Sequence, residues 1–156
     1  MAGWAALRFV PGQRGLRRLG AAMLLVALLP GAAPTADLTI AIEQLRTDRG
    51  ELGICVTADP ASFPDCKDDA RAIWRWTKAS APALTVAGLA HGHYAISVIH
   101  DENGNRKLDT FVGIPREGFG FSNNPKIGFG PPKFAAARFS VDGAGTRQQV
   151  RMRYML

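Results

Sequence analysis

The chain has 156 residues, of which 47% are hydrophobic and 21% charged, with a formal net charge of +6. Four arginines (Arg8, Arg14, Arg17 and Arg18) precede residue 19 and all 13 acids follow it, so the rest of the chain sets 15 bases against 13 acids, a charge of +2. That balance excludes a basic nucleic-acid surface, and the roughly 120 residues that follow the leader make one ordinary domain and not two.

Residues 1–36 have the order of a secretory signal peptide. The arginines form a basic leader, an apolar run follows from Leu19 to Leu29, and Pro30, Gly31, Ala32, Ala33 and Ala36 close it with small or helix-breaking residues. The apolar run is too short to span a bilayer comfortably, and no later stretch is longer, so the mature chain is expected to lack a transmembrane segment. No cysteine follows the run to carry a lipid, and the residues around Arg17-Arg18 match a twin-arginine signal poorly. Cleavage is expected between Ala32 and Ala36, which places the mature domain at 37–156 in the periplasm or outside the cell.

The mature chain reads as strands. Leu38, Ile40 and Ile42 alternate over 37–43, a polar turn follows at 47–50, and Leu52, Ile54 and Val56 alternate over 52–57. Alternation on either side of a glycine-containing turn is the pattern of a hairpin. Residues 59–69 form a polar loop that contains Cys66. Cys55 and Cys66 are close enough to pair in an oxidising compartment, the other reading being two buried thiols. Ile73, Trp74 and Trp76 mark a third strand, 83–86 a fourth and 94–100 a fifth. Residues 115–133, rich in Pro and Gly-Phe pairs, read as a long ordered loop whose phenylalanines fold back as a lid or form a partner patch. Residues 137–142 and 147–154 read as a closing hairpin. Seven short strands without a ten-residue amphipathic helix suggest an all-β chain, a seven-stranded antiparallel β-sandwich with Greek-key, Ig-like connections. The spacing Leu89-x-x-Gly92-x-Tyr94 supports this, because a tyrosine at a strand start bonds back to the preceding corner in such folds.

Chemistry concentrates at 100–109. Asp101, Asn103, Asn105 and Asp109 place short oxygen-bearing side chains at the alternate positions that begin an EF-hand loop, and Lys107 offers a backbone carbonyl. The candidate ligand set is therefore Asp101, Asn103, Asn105, Lys107 and Asp109, and the candidate ion is Ca2+. Arg106 stands where a glycine usually permits the sharp turn, and Val112 stands where a bidentate Glu is usual, so Glu117 or Glu102 would have to complete the shell. An Asx-rich turn that caps its own backbone is the alternative. His91, His93 and His100 have mismatched parity for zinc, and Ser97 and Ser122 lack an evident base, so no catalytic residue is assigned. Trp74 and Trp76 share a strand face, which suits either packing or a sugar-stacking platform.

Taken together, Leu89-x-x-Gly92-x-Tyr94-Ala95, His100-Asp101-Glu102-Asn103-Gly104-Asn105, Lys107-Leu108-Asp109, Gly113-Ile114-Pro115, Glu117-Gly118, Gly120-Phe121-Ser122-Asn123 and Phe129-Gly130-Pro131-Pro132-x-Phe134 resemble the exported bacterial family called domain of unknown function 2141. The resemblance is weakest before residue 70. It implies a small exported β-sandwich, similar in outline to transthyretin-like or carboxypeptidase-regulatory-like domains, and no established activity. The expectation is a non-enzymatic envelope module, calcium-ordered at 101–109, that supports or binds an envelope protein or glycan. The alternative is a carbohydrate or small-ligand binding protein that uses Trp74 and Trp76 or the aromatic lid.

Overall fold

The computed structural model describes residues 31, 33–143 and 145–156. The leader falls almost wholly outside these residues, as does Ala144 at the centre of the expected closing turn.

Among the described residues ten strands and a single helical turn form, in the order β1 (Thr35–Glu43), β2 (Glu51–Thr57), β3 (Ile73–Lys78), β4 (Ala83–Ala90), β5 (Gly92–Asp101), β6 (Thr110–Phe111), β7 (Ile114–Pro115), β8 (Gly118–Phe121), α1 (Phe134–Ala137), β9 (Phe139–Val141) and β10 (Thr146–Arg151). The fold is all-β, and seven strands were expected. The additional ones, β6, β7 and β8, lie at or beside the Pro/Gly-rich stretch read as a loop; they are too short for alternation to show. The first strand opens at Thr35, ahead of the expected domain start at residue 37.

A three-stranded sheet has the order β10-β1-β4, and a five-stranded sheet has the order β3-β2-β5-β8 with β9 also paired to β5. The strands β6 and β7 form a separate two-stranded ribbon. Both expected hairpins are overturned by this topology. β1 and β2 lie in different sheets, and β10 pairs with β1, in parallel, instead of with β9. Alternation tells which face of a strand is buried and not which strand lies beside it. The connection over residues 44–50 is longer than a tight hairpin needs, and it carries the chain from one sheet to the other.

The two sheets share one core. Leu38, Ile40 and Ile42 from β1 pack with Leu52, Ile54 and Val56 from β2, joined by Val86, Ile96, Val98, Val141 and Val150. Every inward position of β1 is buried while its alternate residues are exposed or half-buried, the mark of a sheet with one wet face. At the corner where the chain passes from β4 in one sheet to β5 in the other, the Tyr94 hydroxyl donates to the Ala90 carbonyl at 2.9 Å and Leu89 is buried, as the Leu-x-x-Gly-x-Tyr spacing anticipated. The chain after β10 changes sheets, since the Met152 amide donates to Glu43 in one and Phe119 and Arg153 exchange backbone bonds in the other.

β2 is buried on both faces. Its second face, on the far side of the five-stranded sheet, belongs to a smaller core of Phe63, Ala95, Phe119, Phe121 and Ala137. Loops cover that side, and both candidate sites lie there or at its edge.

Candidate functional site

The acidic loop follows directly on β5. Asp101 is fully buried, and its carboxylate faces the backbone: Oδ1 accepts from the amides of Gly104 and Asn105, and Oδ2 accepts from the Arg106 amide at 2.6 Å. The remaining side chains converge elsewhere. Asn103 donates from Nδ2 to Asp109 Oδ2 at 2.7 Å, and Asn105 donates from Nδ2 to Asp109 Oδ1 at 3.0 Å. The amide oxygens of Asn103 and Asn105 accept from the backbone of Asn105 and Lys107. Glu117 joins the loop as a clamp, with one oxygen on the Glu102 amide and the other on the Asp109 amide. Arg106 takes the left-handed conformation, φ 59°, at the position where a glycine is usual. The five expected positions thus separate into a buried backbone cap at Asp101 and a focus of Asn103, Asn105 and Asp109, while Lys107 contributes its amide to the turn. Among the described residues no three His, Cys, Asp or Glu side chains form a metal-ligating group.

A second feature lies on the outer face of the five-stranded sheet. Strand register places Trp76, Gly53, Ile99 and Phe119 in one row across it, and Trp74, Cys55, Ser97 and Phe121 in the next. The Trp76 ring lies over Gly53, and the open trough of this face lies over Ser97 and Ile99 of β5 and Phe119 and Phe121 of β8. Gly53 makes room for that ring: a Cβ there would meet the Trp76 ring at 2.7 Å and the Ile99 side chain at 3.0 Å. Trp74 and Trp76 lie nearly parallel, centroids 6.2 Å apart and planes inclined by 10°, and the Arg106 guanidinium sits 5.3 Å from the Trp76 centroid. Trp74 is 40% exposed.

Loops turn the trough into a cleft of about 900 Å³. One wall is the stretch Pro64–Lys67, which the Cys55–Cys66 disulfide holds to β2. Another is the β6–β7 ribbon, through Ile114 and Pro115, and a third runs from Ile127 to Pro131. The walls and floor are mostly apolar. Ser97 is the polar side chain on the floor, and its hydroxyl donates to the Pro64 carbonyl at 2.6 Å. The aromatic stretch therefore does fold back, as a wall of the cleft instead of a lid on a sandwich edge.

The profile of a family described as an uncharacterized protein conserved in bacteria (DUF2141) matches residues 40–149. The chain belongs to this family. Neither the search of curated proteins nor that of solved structures found a match. The DUF2141 region runs from within β1 to within β10, so it takes in both the acidic loop and nearly all of the cleft wall.

Within the DUF2141 region His93, His100, Ser97 and Ser122 have definite partners. His100 is fully buried; its Nε2 donates to the Arg49 carbonyl at 2.8 Å, which leaves Nδ1 to accept from the Tyr154 hydroxyl at 2.7 Å. Burial raises the pKa of that phenol. Ser122 is also fully buried, accepting from the Ile96 amide and donating to the Ala137 carbonyl, so it continues the β5–β8 ladder beyond Phe121. His93 meets Ser140 at 3.1 Å on the exposed side. Arg46 bonds Glu102 through two nitrogens, reaches the carbonyls of Arg116 and Leu156, and stacks 4.5 Å from the Tyr154 ring centroid. Sequence reasoning missed Arg46 as the organiser of this corner; its sole signal was an isolated arginine beside a turn.

Proposed function

We propose that this chain is a non-enzymatic binding protein of the bacterial envelope that holds a small ligand in the outer-face cleft. The observation that carries this is the cleft itself: about 900 Å³, floored by β5 and β8, with half-exposed Trp74 at its wall. Ligand pockets are concave, mostly apolar and of this size class. The signal-peptide reading of residues 1–36 and the disulfide support a periplasmic or secreted location. Two sheets over a common core support a β-sandwich of transthyretin-like or Ig-like kind.

The test uses a neutral apolar fluorophore, N-phenyl-1-naphthylamine, titrated into the purified mature protein. Saturable enhancement at one equivalent is expected, with affinity lowered about fivefold in Trp74→Ala, since losing one aromatic contact costs about 1 kcal/mol. Absence of saturable binding overturns the reading.

Calcium at the acidic loop is the second part of the proposal. What supports it is the gathering of three oxygen-bearing side chains, Asn103, Asn105 and Asp109, in one loop that Glu117 clamps at both ends. An ion there would displace the two Nδ2 donors from the Asp109 carboxylate and be held by that carboxylate and by Oδ1 of Asn103 and Asn105, turned away from the backbone amides they now accept from, and Asp101 would keep the backbone in shape from beneath. A ligand that binds only the folded state raises stability by RT ln(1 + [L]/Kd). Melting in millimolar CaCl2 is expected to shift upward, and Asp109→Ala is expected to abolish the shift. Identical melting with calcium and with chelator leaves an Asx-capped turn.

A further inference from the structure

Resting on the cleft reading above, we propose that the ligand is a single-chain anionic amphiphile, with its apolar chain in the trough and its anionic head on the lining cations, Lys67 and Lys107. Three observations point the same way. The trough offers a sugar little to bond, because its floor hydroxyl, Ser97, is already committed to the Pro64 carbonyl. Its mouth carries exposed apolar surface among the described residues: Phe129 is fully exposed, and Ile114 and Met155 are 44% and 48% exposed. The charges at the cleft are one-sided, since Lys67, Arg106 and Lys107 line it against a single acid, Asp65.

The three cations are differently engaged. Lys67 makes an exposed pair with Asp65 at 3.3 Å, and Arg106 lies 3.8 Å from Glu51 while covering Trp76. Lys107 makes no ion pair among the described residues. Its backbone is fixed by the Asn105 side chain, so its ammonium is presented from an ordered turn. Exposed pairs of this kind are weak, and specificity therefore comes from joining one carboxylate to a long apolar chain. A neutral chain of the same length fills the trough but leaves the cations unused. A membrane surface presents many heads to the same rim and gives binding that saturates with lipid area instead of at one equivalent.

The test is displacement of bound N-phenyl-1-naphthylamine by laurate and by dodecanol, both kept below aggregation. Laurate is expected to displace at about tenfold lower concentration, as two exposed charge contacts of up to about 1 kcal/mol each allow. That preference is expected to shrink in Lys67→Ala/Lys107→Ala and in high salt, while dodecanol is unaffected. Equal displacement by the two compounds, displacement by neither, or an undiminished preference in the double variant overturns the amphiphile while the cleft stands. Binding of laurate only as part of anionic vesicles also overturns it. Failure of the fluorophore itself to bind removes the cleft reading instead.

Discussion

Val112 is a β-branched residue held at φ 49° and 86% exposed, in the two-residue turn between β6 and β7. Such turns take Asn-Gly, because both positions need positive φ, and a β-branched residue there is strained by about 1 kcal/mol or more. Val112→Asn is expected to raise unfolding stability in urea by about 1 kcal/mol without changing the m-value. A loss of stability would mean that the valine makes a contact the ribbon needs. Tyr154 presents the opposite case. Its hydroxyl joins buried His100 to the Arg46 amide, so Tyr154→Phe leaves a buried ring nitrogen without its donor. The expected cost is about 1–3 kcal/mol by denaturant unfolding, the range for an unsatisfied buried polar group. The sequence marks His100 as part of a motif but gives no hint of Tyr154 as its partner, since the two are joined only by folding.

Among the elements, β2 is the most exacting. Gly53→Ala puts a methyl group against the Trp76 ring and Ile99. The ring has to shift, and with it the Arg106 side chain stacked on it. A changed tryptophan emission is the expected result, with fluorophore binding weakened through the stacked Trp74 at the cleft wall, and unaltered emission would show that the Trp76 ring has room to move. The disulfide acts on the opposite wall. Closing a loop with a sequence separation of 11 limits the unfolded chain, and reduction is expected to lower stability by roughly 3 kcal/mol as read by urea midpoint. The strands themselves were legible where alternation ran long, as at Leu38, Ile40 and Ile42, or Leu52, Ile54 and Val56. Their partners were not, because the same pattern serves a hairpin and two facing sheets equally well. The acidic loop was legible as a cluster of short polar side chains; that Asp101 turns to the backbone, that Asn103 and Asn105 meet Asp109 and that Glu117 clamps two loop amides was not, because those partners are chosen by the folded turn. The trough was invisible, since Ser97, Ile99, Phe119 and Phe121 become its floor only when β5 and β8 pair.

For the whole molecule, acid is the expected weakness. Hydrogen bonding from Arg46 holds the Glu102 carboxyl below its ordinary value of 4.5, and the Thr57 hydroxyl holds Asp69 below 3.8. Both are lower in the folded state than in the unfolded chain, so their contribution is complete above those ordinary values and is lost as pH falls through the folded ones. The melting temperature is expected to hold from neutrality to about pH 5 and then drop, and Glu102→Gln is expected to flatten part of that drop. A melting curve insensitive to acid would show that these pairs are compensated elsewhere.

The parallel pairing of β1 with β10 sets Leu38 beside Thr146. A ribosome delivers the first of these strands long before the second. Until the later one emerges, the central strand of the small sheet has an open flank, and local turns cannot supply a substitute. The domain is thus built to close late and all at once, with slow folding from distant contacts. Such a chain cannot complete its small sheet until synthesis has passed Arg151.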